Sequence, residues 1–337
     1  MKAVTLLSGG LDSILAAKLI IEQGIDVYAV TYVSTFSSGY SKKTGVFVPQ
    51  RCADMLGIPL LVREITPEMT ALVKDPPHGH GKNLNPCIDC KIIMIRDAKK
   101  YMHDIDAQFL ITGEVLGERP MSQMRHALEE IEKEGGVEGI LLRPLTAHSL
   151  PETIPEKEGW VDRSKLCGIT GRSRKPQFEL CERFGITEYA TPAGGCLLTD
   201  RGYSRKLQDA FDNNDDSRSS IDLLKTGRHF RLLSGAKIIV GRDEKENEKL
   251  TAQARSGDMI VYIEELPGPV VLVCHRKDHA VTEEDIDWGC RFCAYYSDSD
   301  NENNVTVICQ CAGKEDLIEK KTSSIDKETV DSLRVGQ

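Results

Sequence analysis

Ser8-Gly9-Gly10-Leu11-Asp12-Ser13 packs two hydroxyls, two glycines and a carboxylate into one short stretch. Gly9 and Gly10 can take positive φ and place no side chain between the backbone and a ligand. Asp12 and Ser13 are good residues for opening a helix. The amides of a helix's first turn and the positive end of its dipole attract anions. Ser8 and Ser13 add hydroxyl donors, so the stretch suits a phosphate group. Asp12 repels phosphate unless a cation intervenes, which gives it the work of holding Mg²⁺. A second group is Asn85-Pro86-Cys87-Ile88-Asp89-Cys90-Lys91, with Cys87 and Cys90 one helical turn apart. A helix start favours thiolate. A third is Thr191-Pro192-Ala193-Gly194-Gly195-Cys196, where two glycines open a close approach for the thiol. Spacing alone leaves metal binding, redox chemistry and plain structure open for these cysteines.

The elements that must position these groups alternate. Ala3–Leu7 reads as a buried strand ahead of the first loop, and Ile14–Ile20 as the helix behind it. Further strands are expected at 26–33, 58–62, 109–114 and 139–145, with helices at 46–56, 87–101 and 122–135 between them. This predicts an α/β fold with a doubly wound parallel sheet. Ligands of such sheets sit at the carboxyl ends of the strands. Ser8–Ser13 lies at one such end. Thr112, Gly113 and Glu114 lie at another and are expected to reach the same region, with Arg119 close behind. A Pro-, Gly- and His-bearing loop, Asp75–Asn85, precedes the paired cysteines and reads as a mobile loop with unremarkable histidines ahead of a loop whose His78 and His80 are ligands. Arg172-Ser173-Arg174-Lys175 makes a local basic patch in an acidic chain, suited to RNA phosphates.

The hexapeptide resembles the pyrophosphate loop, or PP-loop, of the N-type ATP pyrophosphatases (adenine nucleotide alpha hydrolase-like domains), which cleave ATP between its α and β phosphates. The chain carries neither a Gly-x-x-x-x-Gly-Lys-Ser/Thr nor a Gly-x-Gly-x-x-Gly pattern. Together with Asn-Pro-Cys-x-x-Cys and Gly-Gly-Cys, the loop resembles the tRNA thiouridine synthetases over residues 1–205. The resemblance implies ATP and Mg²⁺ as cofactors and a nucleotide site of Ser8, Gly9, Gly10, Leu11, Asp12, Ser13, Thr31, Thr112 and Gly113, with Thr31 at the adenine. It implies a sulfurtransferase that adenylates a uridine carbonyl oxygen in tRNA and replaces that oxygen with sulfur. Asp12, Cys87 and Cys196 would be catalytic, and Cys87, Cys90 and Cys196 would hold a 4Fe-4S cluster. Alternatives are a persulfide relay through Cys196 and Cys87 without a cluster, an ATP-dependent ligase or amidotransferase on a small molecule, and a non-catalytic RNA-binding protein. The sulfur donor would be sulfide or a persulfide carrier.

Residues 206–220 are polar and acidic and read as a linker. Residues 221–337 are expected to form a smaller α+β domain. Its phrases Gly227-Arg228-His229-Phe230-Arg231, Ile239-Val240-Gly241-Arg242-Asp243, Gly257-Asp258 and Pro267-Gly268-Pro269 resemble the NFACT-R RNA-binding domain. In its tail, Cys290, Cys293, Cys309 and Cys311 read as buried thiols ahead of a zinc site. A net charge of -9 excludes nucleic-acid binding by bulk electrostatics, so RNA contact must be local. No run of 18 apolar residues argues for a membrane span. Lys2 runs straight into a strand, which does not read as a signal peptide. Eleven cysteines without a secretion signal point to thiols or metal ligands in a reducing cytoplasm. The reading allows a homodimer.

Overall fold

A computed structural model describes residues 1–41, 44–189, 196–276, 279–298 and 305–336. It divides into two units, Met1–Thr199 and Asp200–Gln337. The first unit alternates as the sequence demands. β1 (Lys2–Leu6) leads to α1 (Leu11–Ile21), β2 (Asp26–Val33), α2 (Val48–Leu56), β3 (Leu60–Glu64) and α3 (Thr66–Lys74). Then come α4 (Cys87–Asp104), β4 (Phe109–Ile111), α5 (Arg125–Gly135), β5 (Leu141–Leu142), α6 (Ile154–Lys157) and α7 (Lys175–Phe184). The strands pair in parallel in the order β3-β2-β1-β4-β5. Leu6 sits opposite Val30, and Thr5 opposite Ile111.

Side chains alternate across the sheet with period 2. Ala3, Phe109 and Ile111 pack with Ile14 and Ile20 on one face, while Val4, Val30 and Leu110 pack with Ile92 and Ile95 on the other. Both faces are therefore dry, which is why β1 reads as a continuous apolar run. The chain leaves β1 toward β2 on one side and later returns to place β4 on the other. This reversal makes β1 and β4 the switch point of the sheet, where a crevice opens beyond the carboxyl ends.

The second unit begins with α8 (Arg201–Asp212) and α9 (Arg218–Leu223). The stretch expected to be a linker, 206–220, is therefore largely helical. Tyr203, Leu207 and Ala210 recur at helical spacing and are buried, an apolar stripe hidden among charges. Beyond it lie β6 (Arg228–Arg231), β7 (Lys237–Val240), α10 (Glu244–Gln253), β8 (Met259–Tyr262), β9 (Val271–Cys274) and α11 (Glu283–Tyr295). β10 (Val305–Cys311), β11 (Leu317–Thr322), α12 (Lys327–Leu333) and β12 (Arg334–Val335) complete an antiparallel sheet in the order β11-β10-β8-β9-β7-β6-β12. α11 covers one face through Ile286, Cys290 and Phe292. Among the described residues no helix is long and apolar enough to cross a membrane.

Candidate active site

The turn from β1 into α1 is shaped by Gly9, whose φ of +77° is closed to most side chains. Gly10 caps α1 with no side-chain hydrogen bond, so no side chain competes with an anion for the leading amides. Ser13 Oγ donates to the Gly10 carbonyl at 2.8 Å and lies 3.2 Å from Ser8 Oγ, which fixes the two hydroxyls together. Gly113, just past β4, lies against this turn. A Cβ there would stand 2.5 Å from the Asp12 carbonyl carbon and the Ser13 nitrogen. Backbone cannot yield as a flexible side chain does. Gly113→Ala is therefore expected to displace the loop and cut nucleotide-dependent turnover by about 100-fold or more, the scale set by a 1 Å misplacement. Steady-state kinetics beside a melting curve checks this.

Asp12 is mostly enclosed. Its Oδ2 accepts from Arg174 at 3.2 Å, and the same guanidinium nitrogen reaches Glu118 Oε1 at 2.9 Å. The other oxygens, Asp12 Oδ1 and Glu118 Oε2, are buried with no hydrogen-bond partner. Burial first, and the Glu118 carboxylate second, raise the Asp12 pKa, while Arg174 opposes them. Gln177 also bears on this carboxylate, without a hydrogen bond of normal geometry. Two acceptor-only oxygens beside an anion-binding turn fit a hard divalent cation. Glu118 is the residue that sequence reasoning missed. Its only signal is its place past a strand's carboxyl end. Arg174, read as part of a surface patch, is instead engaged with Asp12 and Glu118, leaving Arg172 and Lys175 exposed. Thr31 is buried within β2, and Thr112 hydrogen-bonds Glu114 at 3.1 Å.

Glu114 anchors the floor. It pairs with Lys91 at 2.9 Å and with Arg143 at 3.0 Å, and Arg143 also holds Glu132. Burial pushes the Glu114 carboxyl up, but Lys91 and Arg143 outweigh it and hold its pKa down at about 2. Because that lies below the ordinary 4.5, its stabilisation is present above pH 4.5 and fades as pH falls toward 2. Glu114→Ala would leave the Arg143 charge buried and short of a partner. The expected loss is about 3–5 kcal/mol, read by denaturant unfolding.

Cys87 and Cys90 occupy the first turn of α4, where the Cys90 amide donates to the Pro86 carbonyl at 2.9 Å. The loop ahead of Cys87 is tied to the turn behind Cys196. Asn83 Nδ2 donates to the Thr199 carbonyl at 2.8 Å, and Thr199 Oγ1 donates to the Cys196 carbonyl at 2.8 Å. The three thiols stand within electrostatic reach of one another. Burial, more than any neighbour, pushes Cys90 up to about 12 and Cys196 up to about 11. For Cys90 this overrides the helix-start effect that would favour thiolate. A single zinc, with Zn–S of about 2.3 Å, would draw three sulfurs to about 3.8 Å of one another. Three thiols in reach of one another make a donor set suited to a thiolate-bound metal, zinc or an iron–sulfur group alike. Arg119 lies within electrostatic reach of both Asp12 and Cys196, so the loop and the thiols flank one region. Gly194 and Gly195, read as the opening for Cys196, lie outside the described residues.

Of the tail cysteines, Cys290 and Cys293 both lie in electrostatic reach of Cys309, and Cys311 stands apart. Cys290 and Cys309 place their sulfurs 3.5 Å apart in the core, Cys293 turns toward the Pro269 carbonyl at 3.5 Å, and Cys311 lies against Ala312.

The family described as "Thiamine biosynthesis protein (ThiI)" matches residues 1–182. The "NFACT protein RNA binding domain" matches residues 227–334. A tRNA-specific 2-thiouridylase MnmA of Clostridioides difficile is 29% identical over 192 residues, covering 52% of this chain and 53% of the relative. Its counterpart in Clostridium acetobutylicum is 33% identical over 198 residues, covering 53% and 55%. The chain thus spans about half the length of the curated relatives it matches. Among solved structures, the U34-tRNA thiolase NcsA of Methanococcus maripaludis with its 4Fe-4S cluster gives a TM-score of 0.35 at 16% identity, covering 66% of this chain and 70% of that one. A 4-thiouridine synthetase–RNA complex with bound ATP gives 0.34 at 21% identity, covering 55% and 51%.

Proposed function

The chain belongs to the ThiI family, and from that premise we propose that it is an ATP-dependent tRNA sulfurtransferase that makes a thiouridine. The observation that carries this reading is the shared setting of the Asp12 loop and the three thiols, with Arg119 in reach of both. ATP would seat its phosphates on the turn from Ser8 to Ser13, with Thr31, Thr112 and Gly113 lining the nucleotide. Asp12 Oδ1 and Glu118 Oε2 would hold Mg²⁺, which offsets charge on the departing pyrophosphate. Arg174 keeps both carboxylates aimed. The uridine carbonyl oxygen attacks the α phosphate, pyrophosphate leaves, and sulfur then displaces AMP from the ring carbon. Cys87, Cys90 and Cys196 would hold a 4Fe-4S cluster, which supplies an iron without a protein ligand as an open position for sulfide. The chain's own part at that centre is to bury the thiols, exclude water and hold Arg119 beside them.

The test is anaerobic preparation followed by ATP turnover with unmodified tRNA. Pyrophosphate, AMP and thiolated RNA should appear in equal amounts, in protein that carries iron. ATP–pyrophosphate exchange that proceeds without RNA would favour a small-molecule ligase and overturn the reading.

RNA would be met by the second unit and by the exposed Arg172 and Lys175. Replacing both by alanine should weaken tRNA binding and lower its salt slope by about 1.4–1.8, at about 0.7–0.9 per phosphate contact. Affinity measured across a salt series checks this, and an unchanged slope returns the patch to solvated surface.

A further inference from the structure

Outside the site just described, His78 stands at the centre of three carboxylates. Its Nε2 lies 3.0 Å from Glu134 Oε1 and 3.3 Å from Glu130 Oε1. Its Nδ1 lies 2.6 Å from Asp89 Oδ1, and its amide donates to Asp89 Oδ2 at 3.2 Å. We propose that His78 Nε2, Glu130 Oε1 and Glu134 Oε1 form a binding site for a first-row divalent cation of the zinc type.

Three observations carry this. The first is spacing. Around a tetrahedral zinc with bonds of about 2.0–2.1 Å, neighbouring ligand atoms stand about 3.3 Å apart, and both Nε2–oxygen distances match that edge. The second is charge. Glu130 and Glu134 are four residues apart on α5, a pairing in which like charges repel. Arg96 donates to the Glu134 backbone carbonyl at 2.8 Å and approaches its Oε2 at 3.7 Å, so both Oε1 atoms stay turned to the imidazole. A divalent cation neutralises what one imidazole leaves uncovered. The third is the outer ligand. Asp89, with a side chain only 5% exposed, holds Nδ1 and so aims Nε2 between the two glutamates. A carboxylate behind a ligating imidazole is the usual device for fixing its tautomer and raising its basicity. The mix of one imidazole and two carboxylates suits zinc, iron or manganese better than calcium.

A filled site would tie the Asp75–Asn85 loop to α4 and α5. Asp89 lies between Cys87 and Cys90, so the cation's outer ligand hangs from the helical turn that carries both thiols. The site does not depend on the proposed sulfur chemistry and is tested apart from it.

The probe is cobalt(II) added to the metal-stripped full chain carrying Cys87→Ser, Cys90→Ser and Cys196→Ser, so that these thiols do not take the metal. Its visible d–d bands report a nitrogen–oxygen site, and its near-ultraviolet charge-transfer band reports thiolates. We expect a visible spectrum without thiolate character, raised melting temperature, and displacement by zinc. Glu130→Gln/Glu134→Gln should abolish that spectrum, and Asp89→Asn should weaken binding by about 10–100-fold. Glu130→Gln alone, at a partly exposed position, tests the same point if the double variant melts early. Cobalt that shows only thiolate bands, or a visible spectrum unchanged in Glu130→Gln, overturns the proposal.

Discussion

Alanine at Cys87, Cys90 or Cys196 should each remove bound iron and sulfur transfer together. Alanine at Cys290, Cys293, Cys309 or Cys311 should leave both intact. The contrast follows from place. The first three thiols stand within electrostatic reach of one another around one region of the first unit. Cys290, Cys293 and Cys309 lie in the core of the second unit, where Cys290 meets Cys309 at sulfur contact and Cys293 faces backbone carbonyls, while Cys311 is half-buried. Loss of any of the three core thiols would instead cost about 1–3 kcal/mol in stability, the range for cavity-forming core changes. Cys90 is the deciding residue. Burial pushes its pKa up to about 12, so it is poorly placed as a free nucleophile. A persulfide relay needs only Cys196 and Cys87. Full thiolation by iron-free Cys90→Ala protein would therefore replace the cluster by that relay. Iron content, visible absorption and thiolated product, measured on one anaerobic preparation of each variant, decide it.

Asp12→Ala should lower pyrophosphate-forming turnover by on the order of 10²–10³, the cost of removing one preorganised electrostatic group. Its melting temperature should hold or rise. The carboxylate is kept buried beside Glu118, and both effects raise its pKa, so the folded protein gains little from its charge. Arg174 keeps Glu118 as a partner at 2.9 Å after the change. Glu118→Gln should act on the same step and shift the Mg²⁺ concentration needed for half-maximal rate upward. A variant of Asp12 with wild-type turnover would remove both residues from the cation site.

The alternation of apolar runs with helical spacing made the parallel sheet legible, because β1 and β4 are buried on both faces and so read as unbroken apolar stretches. The loop was legible because its glycines answer to backbone geometry that no other residue meets. Glu118 was not. Nothing in a single exposed-looking acid says that a guanidinium 56 residues away will enclose it. Arg174 was misread for the same reason: a run of cations looks like surface until one of them finds buried carboxylates. The helices at 201–223 were hidden by composition, since their polar face outnumbers the few apolar residues that they bury.

The lock on the phosphate turn also sets a schedule. β1 pairs with β2 nearby, yet the Lys2 amide donates to Gln108, 106 residues on. Asp12 waits still longer for Arg174, 162 residues on. At about 5–20 residues per second of synthesis, roughly 8–30 seconds separate those two side chains on the ribosome. Through that interval the Asp12 carboxylate lacks the guanidinium that meets it in the folded chain. A nascent chain cut short of residue 174 would carry every residue of the hexapeptide and no closed lock around its carboxylate.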